Sequence, residues 1–173
     1  MMIPTQATNA LYLRRGEFSP YNNQPGIFHC PADWSQTNGA PRVRSYSMNG
    51  WIGSRYMTSE VSQYTYGESG YRTYVKESET AVVGAASLWV IMDEHEATID
   101  DAWFVVTMND SDVFASLPAN RHQRGYNLSF ADGHVEHYIL RDPTSLSPGK
   151  HLTPQNPDWL KLKQVTTTAL GAY

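Results

Sequence analysis

The apolar positions of this chain fall into short runs rather than long stripes, and their period changes along it. Residues 43–52 (VRSYSMNGWI) alternate as a strand does, and Asn49-Gly50 supplies a turn signal near their end. Ser87–Met92 (SLWVIM) is a short apolar run that reads as a buried strand ending at Asp93-Glu94-His95, and Trp103–Met108 (WFVVTM) reads as another. Asn127–Phe130 and His134–Leu140 flank Asp132-Gly133, a strong short-range hairpin signal. If Asp132-Gly133 is a two-residue type I′ loop, Phe130 pairs with Val135 and Leu128 with His137. Leu128, Phe130, Val135 and Ile139 then make the core face, with His137 among apolar neighbours. Ser129, His134, Glu136 and Tyr138 face outward.

Helical signals are small. A short helix is expected around Ala7–Arg15, and a helical turn at Lys76–Ser78 beside Val82-Val83. Residues 1–41 are punctuated by Pro4, Gly16, Pro20, Pro25, Gly26, Pro31, Gly39 and Pro41, which makes this segment irregular. Residues 53–70 read as a polar, tyrosine-rich surface loop. The tail, 141–173, carries prolines at 143, 148, 154 and 157 before Trp159-Leu160. It is expected to wrap the body and dock by that tryptophan. A chain of 173 residues accommodates one core, so 1–173 is read as a single domain. The fold class expected is α+β: an antiparallel sheet of about four to five strands, a short N-terminal helix and long irregular loops.

Composition agrees with a loop-rich fold, with 12 Gly, 10 Pro and 11 Tyr against only 17% charged residues. A net charge of −4 without a Lys/Arg run gives nothing to hold a nucleic-acid backbone. The single cysteine, Cys30, excludes an internal disulfide and a Cys-based zinc site; a dyad with a distant histidine would lack a helix N-terminus to lower the thiol pKa, so Cys30 reads as a small buried hydrophobe. No run approaches the about 18 apolar residues of a membrane helix, and the first residues lack the layout of a signal peptide. There is no Gly-x-Ser-x-Gly elbow, phosphate-binding glycine loop or His-Glu-x-x-His pair.

Acidic residues gather near the strand ends: Asp93, Glu94, Glu96, Asp100, Asp101, Asp110, Asp112 and Asp132. A hard cation such as Ca2+ takes about six to eight oxygens, which loops at one end of a sheet can supply. Asp93 with Asp100-Asp101 is the first choice of ligands and Asp132 the next; the alternative is solvated charge and turn formation. His122 reads as a metal ligand or general base, or as a hydrogen-bonding residue that ties its loop down. A zinc site from His95, His122, His134 and Asp93 is disfavoured, because His134 and His137 on one strand point to opposite faces. Tyr56, Tyr64, Tyr66, Tyr71 and Tyr74 suit either a carbohydrate-stacking surface or an interface.

Four segments together resemble a known family. His122, nine residues and then Asp132-Gly133 resembles the His-X9-Asp-Gly signature of prepilin-processing-associated, pseudopilin-like proteins. Phe28-His29-Cys30-Pro31-Ala32-Asp33 is similar to the family's F-x-C-P-A-D element, and Arg44-Ser45-Tyr46-Ser47-Met48-Asn49 to its R-S-Y-S-M-N strand. Asp93-Glu94-His95 followed by Ile99-Asp100-Asp101 and Phe104 resembles its D-E-H…I-x-D-x-x-F element. The segments stand in the family's order across residues 28–138. The resemblance implies a pilin-like head, calcium held in a C-terminal loop, other pilin-like subunits as partners and a periplasmic or cell-surface location. The family's basic leader and long apolar helix are not found in this sequence, so the expectation is a soluble head without its membrane helix. The rival expectation is a calcium-dependent hydrolase of esters or lactones, with Ca2+ polarising the carbonyl and His122 or Glu94 activating water.

Overall fold

The structure, a computed structural model, describes residues 4–53, 70–108, 116–142, 145 and 156–171. It has the expected α+β architecture. A small hairpin of β1 (Gln36–Thr37) and β2 (Ala40–Pro41) stands apart from a five-stranded sheet. That sheet consists of β3 (Tyr46–Asn49), β4 (Trp89–Asp93), β5 (Trp103–Phe104), β6 (Gly125–Phe130) and β7 (Val135–Ile139), in the order β5-β3-β4-β6-β7. β3–β4, β4–β6 and β6–β7 are antiparallel, whereas β5 runs parallel to β3. The expected all-antiparallel sheet is therefore mixed at one edge, because the chain leaves β4, passes to the far side of β3 and arrives in the direction of β3. The second apolar run keeps strand pairing only at Trp103–Phe104.

One face of the sheet makes the core. Trp89, Met92, Phe104, Tyr126, Leu128 and Phe130 are buried there, and Trp89 meets Phe104 edge-on at 5.7 Å. The tail closes this face with Trp159 and Leu162. Its helix α4 (Pro157–Gln164) starts where the sequence says it should. Pro157 stands at the first helical position, and the Asn156 side chain accepts from the N–H groups of Asp158 and Trp159. Trp159 thus docks the tail as expected, and burying a side chain of that size stabilises by roughly 3 kcal/mol. Asp158 fastens the same segment. Its carboxylate accepts from the N–H groups of Arg141 and Asp142 and from the hydroxyls of Tyr138 and Ser145.

The hairpin is present, with a register one residue away from the expected one. Ser129 pairs with Val135, Leu128 with Glu136 and Tyr126 with Tyr138. The loop has three residues, Ala131-Asp132-Gly133, closed by the Gly133 N–H donating to Phe130 O at 2.9 Å. Gly133 takes φ +91°, the left-handed position that a three-residue loop requires. The slip exchanges the faces of β7. Val135 and Ile139, expected in the core, are 63% and 53% exposed. His134 stacks on Phe130 at 4.3 Å, and His137 is exposed, bonded through Nδ1 to Asn127 Oδ1 at 2.9 Å.

The N-terminal helix appears as two single turns, α1 (Pro4–Ala7) and α2 (Leu11–Arg14). Asn9 separates them by accepting the Leu11 N–H on its side chain, a local bond that competes with helix continuation. The turn at 76–78 is α3 (Glu77–Thr80), started by Glu79 Oε2 accepting the Lys76 N–H. Tyr74 is buried and Tyr71 packs edge-on against Trp51 at 6.0 Å, so these two are packing residues rather than a stacking surface. Tyr56, Tyr64, Tyr66, Asp110 and Asp112 lie outside the described residues. Among the described residues, no helix is long and apolar enough to cross a membrane.

Candidate functional site

Strand geometry separates neighbouring residues at the end of β4. Tyr46 pairs with Asp93, so both share the face of the sheet away from the core. Glu94, one residue on, turns to the buried side. The acidic pair that reads as one cluster in the sequence thus serves two different surroundings.

On the Asp93 side, Arg121 is the hub. Its guanidinium lies 2.9 Å from Asp93 Oδ1, 3.2 Å from Asp33 Oδ1 and 2.9 Å from Glu96 Oε2, and it donates to the Glu94 carbonyl. The side chains of Asp33 and Asp93 are each only 1% exposed. Cys30 comes from the same irregular segment as Asp33 and is held by its N–H donating to Ser45 Oγ at 2.8 Å. Its Sγ lies 3.4 Å from His122 Nε2, which in turn lies 3.8 Å from Asp93 Oδ2. That Oδ2 is buried and has no hydrogen-bond partner among the described residues.

His122 reaches this point through a tight reversal. Its N–H and C=O pair with Gly125, and the two residues between, Gln123 and Arg124, have φ of +51° and +66°. Two consecutive left-handed residues that are not glycine are uncommon and cost free energy, so the surrounding structure holds this turn in place. The turn tips His122 towards Cys30, ninety-two residues away in sequence.

Burial raises the Asp93 carboxyl above its ordinary range, against the charge and hydrogen bond of Arg121 and the Ser45 hydroxyl. Burial also pushes the Tyr46 phenol up to about 12, helped by the nearby Cys30 and Asp93. Beside the cluster runs a groove of about 380 Å³, lined by Ile27, Phe28, Tyr46, Ile91 and Val135, with Asp93 and His122 on its wall. The register of β7 places Val135 on the open face, where it forms part of the groove wall.

On the other side, Glu94 is buried, and among the described residues neither carboxylate oxygen makes a hydrogen bond of good geometry, the Ser47 and Thr98 hydroxyls lying only nearby. Burial lifts its pKa to about 7, although the hydroxyls of Ser47 and Thr98 and the charge of Arg44 work to lower it. Arg44 donates to Tyr46 O and Ser47 Oγ and to the Asp101 carbonyl. Burial lowers its pKa, opposed by Glu94, Asp101 and Asp100. Asp132 sits on the hairpin turn, exposed and 2.5 Å from His134 Nδ1. β6, six residues and about 20 Å long, separates it from the His122 turn.

The carboxylates expected to hold calcium are therefore not gathered. Asp93 faces Arg121, Asp100 and Asp101 surround Arg44, and Asp132 is alone on the turn with His134. Among the described residues, these four carboxylates form no close group of three or more ligand atoms. Glu94 and His122 lie on opposite sides of β4. What the structure does bring together is Asp93, His122 and Cys30. Asp93 and His122 are legible as candidates, whereas for Cys30 the sequence offers a dyad with a distant histidine only as the disfavoured reading and does not say which histidine it meets.

The Glu94 environment gives a measurable pH effect. A carboxyl titrating at about 7 in the folded chain and about 4.3 unfolded binds more protons when folded. Stability is then highest below the unfolded value and is lost as pH rises through 7. Glu94→Gln, neutral throughout, is expected to exceed the native chain by about 2 kcal/mol at pH 8 and to match it near pH 4.5. Urea unfolding at both pH values checks this; a variant no more stable at pH 8 would show that the carboxyl is not buried in its charged form.

No family model, curated protein or solved structure matches the chain.

Proposed function

We propose that this chain is the globular head of a pseudopilin-like subunit, a structural part of a type II secretion or type IV pilus-related assembly outside the cytoplasm. The observation that carries the reading is what the motif residues do. Asp33, Asp93 and Arg121 join the N-terminal segment to β4 and to the His122 turn. Ser45 anchors Cys30, and Arg44 ties β3 to the loop before β5. Asn49 donates to both Trp89 O and Thr166 O, fastening β3 to β4 and to the tail. Each motif holds one loop to another, as residues of a scaffold do, and such buried polar contacts specify a loop-rich arrangement. The partners in this reading are other pilin-like subunits.

The test is assembly. Fused behind a pseudopilin leader and apolar helix in a host with a type II secretion system, the head should be processed and recovered in cross-linked ladders. A head that is processed but never cross-links to its neighbours would sink the proposal. Hydrolysis provides the opposing arm. Purified chain should not turn over aryl esters or lactones above buffer; turnover abolished by His122→Ala in folded protein would favour the hydrolase instead.

A further inference from the structure

We infer that Cys30, Asp93 and His122 form a binding site for one zinc-class divalent cation, with a coordination position left open towards the groove. The inference stands apart from the assembly role and rests on four features of the cluster.

The first is spacing. Sγ, Nε2 and a carboxylate oxygen lie within 4.8 Å of one another, with Sγ–Nε2 at 3.4 Å and Nε2–Oδ2 at 3.8 Å. Tetrahedral coordination at ordinary zinc bond lengths sets a sulfur and a nitrogen about 3.6 Å apart, and a nitrogen and an oxygen about 3.4 Å apart. The cluster is within a few tenths of an ångström of both. Cysteine and aspartate both approach Nε2, so the histidine does not relay between them through its two ring nitrogens. The three atoms instead surround a common point.

The second is the orphaned oxygen. Arg121 holds Asp93 Oδ1, and this fixes the carboxylate so that Oδ2, buried and without a hydrogen bond, faces His122. A bound cation would satisfy that atom, and Arg121 is the kind of outer partner that orients a ligating carboxylate.

The third is charge. A coordinated cysteine binds as thiolate, so in the metal-bound site the buried charges are −1 each from Cys30, Asp93 and Asp33, and +1 from Arg121. A dication brings the sum to zero, the state that burial favours.

The fourth is ligand type and access. One thiolate, one imidazole and one carboxylate suit a borderline cation such as Zn2+ or Co2+, not an all-oxygen cation such as Ca2+ or Mg2+. His122 is 29% exposed and lies on the groove wall, which gives the ion a way in and leaves room for water or a small ligand as the fourth donor.

Cobalt titration of the reduced, chelator-treated full chain is the test. Co2+ should bind at one equivalent and produce a thiolate-to-cobalt charge-transfer band with intense tetrahedral visible absorption. Zn2+ should displace it and Ca2+ should not. Cys30→Ser should remove the charge-transfer band and weaken binding by more than about tenfold, and His122→Ala should weaken it similarly. His134→Ala, on the hairpin turn, should change nothing. Because Cys30 is the only cysteine, the band in the native chain decides the matter even if a variant fails to fold. Absence of the band, or cobalt binding unaltered by Cys30→Ser in folded protein, would overturn the site and point to a plain thiol–imidazole hydrogen bond.

Discussion

Arg121→Met is expected to destabilise the chain by about 3–5 kcal/mol at pH 8, the usual consequence of stripping the partner from a buried charge. The Arg121 side chain is itself only 9% exposed and contacts the carboxylates of Asp93, Asp33 and Glu96. Burial works to lower its pKa, but these anions outweigh burial and hold it above its ordinary value. Methionine fills comparable volume yet leaves Asp93 and Asp33 buried together without a counter-charge. Glu96 is half-exposed and loses little. The effect should depend on pH in a fixed direction. Asp93 is already raised by burial, and removing the guanidinium takes away the chief opposing influence, so it titrates higher still. A raised folded pKa means that stability falls as pH increases, and the variant should therefore recover part of its loss at pH 5. Arg121→Lys keeps the charge without the planar fork and should lie between the two. Urea unfolding at pH 5 and 8 measures all three. An Arg121→Met chain within 1 kcal/mol of native at pH 8 would mean that the carboxylates are hydrated, and the buried hub would have to be abandoned.

The second large effect is expected at Gly125, where β6 begins. A Cβ there would stand 2.1 Å from the Tyr138 carbonyl oxygen and 2.9 Å from His137 Cε1. The first obstacle is backbone, which cannot swing aside as a side-chain tip can. Gly125→Ala must therefore push β7 away from β6 or open the His122 turn, since the Gly125 N–H and C=O close that turn. The loss should be about 3 kcal/mol, the upper range for forcing an atom into a packed region. Since β7 carries Tyr138, whose hydroxyl bonds Asp158, the tail should loosen as well. Thermal unfolding gives the size of the loss, and amide exchange at Trp159 and Leu162 shows whether it spreads to α4. Native-like stability would show that the two strands do not approach so closely.

Much of the architecture was legible in the chain itself. Short apolar runs at 43–52 and 87–92 became adjacent strands, Asp132-Gly133 turned the hairpin, and Pro157 and Trp159 marked the start and the anchor of the tail helix. These features depend on local chemistry: alternation, a glycine able to take positive φ, a proline at a first helical turn. Three matters were settled only by tertiary structure. The hairpin loop took in Ala131, and that single residue moved Val135 and Ile139 to the open face, where Val135 lines the groove. Alternation defines two sets of side chains on a strand, but the turn decides which set meets the core. The acidic residues after β4 were divided because Asp93 and Glu94 are neighbours in an extended strand, so each met a different arginine. Cys30 met His122 across ninety-two residues because Ser45 anchors one and a left-handed turn aims the other. Contacts between distant loops carry no periodic signal; they follow from where the sheet places the loop ends, and the sheet's register is a property of the whole fold.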